Sequence, residues 1–214
     1  MKREIKGIIF DCDGVLVDSE KTSCGVFAEM MREQGADVTN HEVFLAIKGG
    51  SIEHSLAYAS SKIPSLDQKT FEEAYRIRSY AAFSKEMKPV NGVVNLLQSL
   101  KIPKSVVSNG PMTKILMNLE STKIIHHFKR ELIFSGHEWK KFKPDPYLFL
   151  QAAKNMKVKP ENCLVVEDSA HGAQAAQQAG MLCYGYTEMT DPGIFYPYDA
   201  IPFSDMDEIR TIIA

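Results

Sequence analysis

Apolar residues fall along this chain in short, β-branched runs separated by stretches with helical spacing. Ile5–Phe10 (IKGIIF) is the first run. Ser105–Ser108 (SVVS), Leu132–Phe134 (LIF) and Cys163–Val166 (CLVV) repeat the type, and Met181–Tyr184 is a weaker fifth. Short apolar runs of this kind, bounded by polar residues, predict strands buried on both faces. Between them, Val93–Leu100, Thr113–Leu119, Tyr147–Met156 and Ala170–Ala179 carry the spacing of helices. Strands alternating with helices predict βαβ units, and therefore an α/β fold with a mainly parallel sheet covered on both faces.

One segment breaks that rhythm. From about Ser19 to Lys88 the pattern is helical throughout (roughly Glu20–Gln34, His41–Ile47, Ile52–Ser61 and Asp67–Phe83) and offers no convincing strand. A helical block between the first and second strands reads as an inserted all-helical cap. The expected division is a core of residues 1–17 and 89–214, with the cap at 18–88. The hinges are expected at Val15–Asp18 and at Lys85–Gly92, which carries Pro89 and Gly92.

Composition narrows the class without changing the picture. Of 214 residues, 44% are hydrophobic, which suffices for a sizeable core, and 24% are charged, which argues against global disorder. Lys+Arg total 25 against 27 Asp+Glu, a net charge of -2. That balance lacks the basic excess of a nucleic-acid or membrane-surface protein, so neither partner is expected. The opening MKREIKGIIF reaches acidic residues after a very short apolar run, unlike a secretory signal. No window approaches the roughly 18 apolar residues of a membrane span. The four cysteines, Cys12, Cys24, Cys163 and Cys183, form no CxxC pair and read as reduced, buried thiols of a cytoplasmic protein. A monomer or weak dimer is expected.

The candidate chemistry sits where the strands end. Ligands of an open parallel sheet bind beyond the carboxyl ends of its strands. The first strand runs into Asp11-Cys12-Asp13-Gly14, the second into Ser108-Asn109-Gly110 and the fourth into Glu167-Asp168-Ser169, while Lys143 lies in the loop KFKPDP. Carboxylates, a hydroxyl and an ammonium on one sheet edge suit a divalent cation and a phosphate. Carboxylate oxygens are hard ligands that match Mg2+. A serine hydroxyl with backbone amides at a helix start holds phosphate oxygens, and a lysine offsets their charge. Simpler roles fit several neighbours. Asp18 and Ser169 are placed to cap helices, His171 and the adjacent His126 and His127 have no ligand spacing, and Cys12 is expected to pack into the sheet.

These motifs carry a resemblance. DCDGVLVDS is similar to the first motif of the haloacid dehalogenase (HAD) superfamily, and Ser108 in VVSNG, Lys143 in KFKPDP and Glu167-Asp168 in VVEDS resemble the second, third and fourth, in order. The resemblance implies a Rossmann-like three-layer core and a helical cap of the kind found in sugar-phosphate phosphatases and β-phosphoglucomutase. It implies Asp11 as a nucleophile that forms an aspartyl-phosphate, and Asp13 as the acid and base. Ser108, Asn109 and Lys143 would bind phosphate. Asp11, the Asp13 carbonyl, Asp168 and Glu167 would hold Mg2+, with Glu167 direct or through water.

The stretches VVSNGP, LIFSG, WKKFKPDP and ENCLVVEDSAHGAQAA resemble the 6-phosphogluconate phosphatase type within the superfamily, which implies a small phosphorylated metabolite, a sugar or sugar acid, as substrate. The alternative within the superfamily is a phosphosugar mutase. That type has a cap histidine where this chain reads Lys21-Thr22-Ser23, and an arginine where it reads Ile52. Both departures favour hydrolysis. Lys48, Gly49 and Ser51 are the cap candidates for substrate contact. A non-catalytic phosphate-binding module would be expected to lack one of the motif carboxylates, and all are present.

Overall fold

A computed structural model describes residues 4–47, 52–188 and 190–213, without the side chains of Ser84 and Glu86. The chain divides into two compact units, Met1–Val17 with Pro89–Ala214, and Asp18–Lys88.

The first unit begins with β1 (Gly7–Phe10), every residue of which is buried. The second unit follows as four helices: α1 (Ser19–Glu33), α2 (Asn40–Ile47), α3 (Ile52–Lys62) and α4 (Gln68–Glu86). Asp18 caps α1 by accepting from the Lys21 amide, and Asp67 caps α4 by accepting from Lys69 and Thr70. Each cap satisfies amides that the first helical turn leaves open. This unit buries its own apolar seam, in which Phe27 meets Phe71 and Tyr75 edge-on, both at 5.1 Å, beside Met31, Val43 and Leu56.

The chain then returns to the first unit with α5 (Val93–Ser99), β2 (Lys104–Ser108), α6 (Met112–Ser121), β3 (Ile133–Ser135), the short α7 (Gly136–Trp139), α8 (Tyr147–Met156), β4 (Cys163–Glu167), α9 (Ala170–Gln178), β5 (Leu182–Tyr186), β6 (Ile201–Phe203) and α10 (Met206–Ile213). The sheet order is β3-β2-β1-β4-β5-β6, and each neighbouring pair is parallel. The α/β class and the parallel sheet agree with the sequence pattern. Three elements, α7, β6 and α10, go beyond what the periodicity predicted.

Side chains of a strand alternate between faces. Ile9, Val107, Phe134, Val165 and Cys183 therefore point to one side, where they pack with Leu148, Phe149 and Ala152 of α8 and with Ala173 and Ala176 of α9. Burial of each large member contributes about 1.5–3 kcal/mol. The small alanines let α9 lie close to the sheet. All four cysteines are free and buried. No helix among the described residues is long and apolar enough to cross a membrane.

Candidate active site

The sheet order reverses at β1. The chain steps from β1 to β2 and β3 on one side, then returns to β4 on the other, and such a switch point opens a crevice at the carboxyl ends of the strands. Asp11 stands there. Its amide donates to the Val166 carbonyl at 2.9 Å, which extends the ladder one residue past β1. Phe10 pairs with Val166, so Asp11 comes opposite Glu167, the last residue of β4. Asp11 follows Ile9 by two and Glu167 follows Val165 by two. Alternation therefore turns both carboxylates to the α8 and α9 side, which is the side from which Lys143 arrives.

The Lys143 ammonium pairs with both Asp11 Oδ1 and Glu167 Oε1. All three groups are buried, and the ammonium lies 5.4 Å from the centre of the Phe149 ring. Burial pushes the Asp11 carboxyl up to about 7, against the pull of Lys143 and with added repulsion from Glu167 and Asp13. Burial also works to lower Lys143, yet Asp11 and Glu167 outweigh it and hold the ammonium above its ordinary range.

Neighbouring elements fix this trio. Glu167 Oε2 accepts from Ser169 Oγ at 2.8 Å and from the Asp168 and Ser169 amides, both at 3.2 Å. Oε2 is thus engaged at the N-terminal end of α9, whose cap is Ser169, while Oε1 meets the Lys143 ammonium. Gly172 leaves room for the carboxylate, since a Cβ there would lie 1.9 Å from Glu167 Cδ. The loop bearing Lys143 is clasped by Asn109, whose Oδ1 accepts from the Lys143 amide at 2.8 Å and whose Nδ2 donates to the Lys143 carbonyl at 3.5 Å. The Asn109 side chain therefore faces the lysine loop. Ser108 is buried at the end of β2, and its Oγ accepts from the Gly110 amide at 3.1 Å.

Asp13 is held from another direction. Its Oδ2 pairs with Lys114 Nζ at 3.0 Å, and its Oδ1 accepts from Asn118 Nδ2 at 3.1 Å. Sequence reasoning missed both α6 residues. The signal available was a lysine and an asparagine one turn apart in a helix that otherwise buries apolar residues. Asp168 rests against the turn after β1. Gly14 has φ +77°, and a Cβ there would lie 1.9 Å from Asp168 Oδ2. Only glycine combines that conformation with that approach.

The remaining candidates sort simply. Asp18 and Ser169 cap helices, and His171 is exposed. Cys12 is fully buried, and burial together with Asp13 and Asp11 pushes its thiol well above the ordinary range, which disfavours a thiolate nucleophile. Lys48, Gly49 and Ser51 lie outside the described residues.

The donor chemistry fits Mg2+. Asp11, Asp168 and the Asp13 carbonyl offer hard oxygens, and the buried pair Asp11 and Glu167 meets a single ammonium. That leaves the site short of positive charge, as the raised Asp11 carboxyl reflects. Among the described residues no three His, Cys, Asp or Glu side chains form a ready metal cluster, so backbone oxygen and water are needed to complete a coordination shell.

A family profile described as haloacid dehalogenase-like hydrolase matches residues 8–185. The chain is 36% identical over 186 residues to the 6-phosphogluconate phosphatase of Escherichia coli, covering 83% of this chain and 80% of that one. It is 25% identical over 195 residues to the phosphorylated carbohydrates phosphatase of Thermotoga maritima, covering 88% of each. Among solved structures, a HAD family hydrolase from Deinococcus radiodurans superposes with a TM-score of 0.85 over 99% of this chain and 96% of that one. At 23% identity it attests to the fold.

Proposed function

The chain belongs to the haloacid dehalogenase-like hydrolases, and on that premise we propose that it hydrolyses a phosphorylated sugar or sugar acid, 6-phosphogluconate or a close analogue, through an aspartyl-phosphate on Asp11. Phosphoric monoester hydrolysis is the activity supported by the named relatives. The observation that carries the residue assignment is the Lys143 ammonium bridging Asp11 and Glu167 at the switch point of the sheet. A nucleophile needs its carboxylate ionised and aimed, and the ammonium serves both ends while Glu167 and Asn109 keep it there.

In this reading Asp11 Oδ attacks phosphorus as the ester P–O bond breaks, and Asp13 gives its proton to the departing oxygen. Water then attacks the aspartyl-phosphate, yields its proton to Asp13, and leaves inorganic phosphate and free Asp11. Lys143, Ser108 Oγ and the backbone amides after Ser108 hold the phosphoryl oxygens. A bound Mg2+ supplies charge neutralisation for those oxygens, and Asp11, the Asp13 carbonyl and Asp168 would hold it, with Glu167 acting through Lys143 and water.

The test is a kcat/KM survey over 6-phosphogluconate, hexose phosphates and 4-nitrophenyl phosphate. Hydrolysis is expected to require Mg2+, to stop on chelation, and to fall at least about a thousandfold in Asp11→Asn. Turnover retained in that variant sinks the nucleophile assignment. Conversion of β-glucose 1-phosphate to glucose 6-phosphate with a trace of bisphosphate, at a rate above hydrolysis, would make the enzyme a mutase instead.

A further inference from the structure

The buried face of α6 is apolar except at one position. Met112, Ile115 and Leu119 are buried on it, and so is Asn118, which is fully inaccessible to solvent. Lys114 precedes Asn118 by one helical turn, so both project to the same side. Each takes a different oxygen of Asp13, Lys114 Nζ at 3.0 Å from Oδ2 and Asn118 Nδ2 at 3.1 Å from Oδ1. Contacts to both oxygens fix the carboxylate in rotation as well as in position.

Asn118 holds this place at a cost. Its Oδ1 is buried and meets no hydrogen-bond donor among the described residues. An unsatisfied buried acceptor costs about 1–3 kcal/mol, whereas a leucine, which has the same branching and no polar atom, would carry no such penalty. Broken local rules of this kind mark positions that serve the site instead of the fold.

We infer that Lys114 and Asn118 are positioning residues for the proton transfers of Asp13, a two-point clamp that α6 extends to its carboxylate. The inference rests on the hydrolase reading, in which Asp13 protonates the leaving oxygen and later accepts a proton from water. A displacement of about 1 Å in such a group can cost on the order of a hundredfold in rate.

The experiment uses the full chain with Mg2+ and compares wild type, Lys114→Met and Asn118→Leu on two esters. One is the best sugar phosphate of the survey, and the other is 4-nitrophenyl phosphate. The ratio kcat/KM reports only the steps up to the aspartyl-phosphate. A sugar alkoxide needs a proton to depart in those steps, and a nitrophenolate does not.

The clamp requires kcat/KM for the sugar phosphate to fall about 10- to 100-fold in each variant, with a fall under about threefold for the aryl ester. Asn118→Leu is also expected to melt at or above the wild-type temperature, the opposite of a merely structural role. In an Asp13→Ala background, adding Asn118→Leu should cause no further loss. Equal losses on both esters mean a grip on the phosphoryl group and overturn the clamp, as does an undiminished sugar phosphate rate. If Asn118→Leu does not fold, Lys114→Met alone decides by the same ester comparison. A wild type inactive on every ester overturns the hydrolase reading and the clamp with it. An active wild type with insensitive variants overturns the clamp alone.

Discussion

A carboxyl group buried at the end of β1 holds its proton more tightly than the same group in the unfolded chain, and Asp11 does so up to about 7. An acid whose folded value is raised makes the native state bind more protons than the unfolded state between the two values. Stability contributed by that proton is therefore complete below the ordinary value of 3.8 and is lost as pH climbs to about 7. Asp11→Asn removes the titration and keeps the shape. In chelator, its stability advantage over wild type is expected to be small near pH 4, to grow until pH 7 and to stay level above. Denaturant melts at several pH values measure it, and an advantage independent of pH would show that burial of the charge is not the cause. The proposed nucleophile is thus a residue that the fold tolerates and does not need.

Elements translate that residue chemistry into geometry, and α9 does so most visibly. Its cap residue and the residue before it present the Ser169 hydroxyl and two amides to Glu167, and Gly172 clears the space in which the carboxylate sits. Gly172→Ala puts a methyl group where Glu167 Cδ now lies, so it is expected to cost about 1–3 kcal/mol of stability. Displacement of Glu167 frees one end of Lys143, so turnover should fall at least about tenfold. A variant of unchanged melting temperature and rate would refute that packing argument. The strand ends bearing Asp11, Ser108 and Glu167 were legible in the sequence because period-two burial and polar termini leave a local mark. The β6 strand was not, since three residues containing Pro202 at a sheet edge carry too little pattern. Nor was the tie from Asn109 to Lys143, or the reach of Lys114 and Asn118 to Asp13. Helical spacing places a residue on a face but does not say what that face meets 101 and 105 positions away in the chain.

At the scale of the molecule, the two crossings between units lie side by side. Val17 bridges Pro89 in antiparallel fashion, and the Val90 amide donates to the Leu16 carbonyl at 3.1 Å. The ends of the Asp18–Lys88 insertion are therefore already joined by the core, and the entropy of closing a short replacement loop is small. A chain in which a brief Gly-Ser linker replaces residues 18–88 is expected to melt cooperatively with strand and helix signals intact. A non-cooperative, dye-binding collapsed state would contradict the independence of the core. The same connectivity has a consequence for how the protein is made. Phe10 pairs with Val106 and with Val166, yet a ribosome delivers β1 long before either partner. The Asp18–Lys88 unit has its own apolar seam, drawn from one contiguous segment, so it can form while a fully buried strand of the sheet still waits. Nascent chains stalled before Val106 would thus carry a finished helical unit and an unpaired apolar strand, the form in which this protein most needs a chaperone.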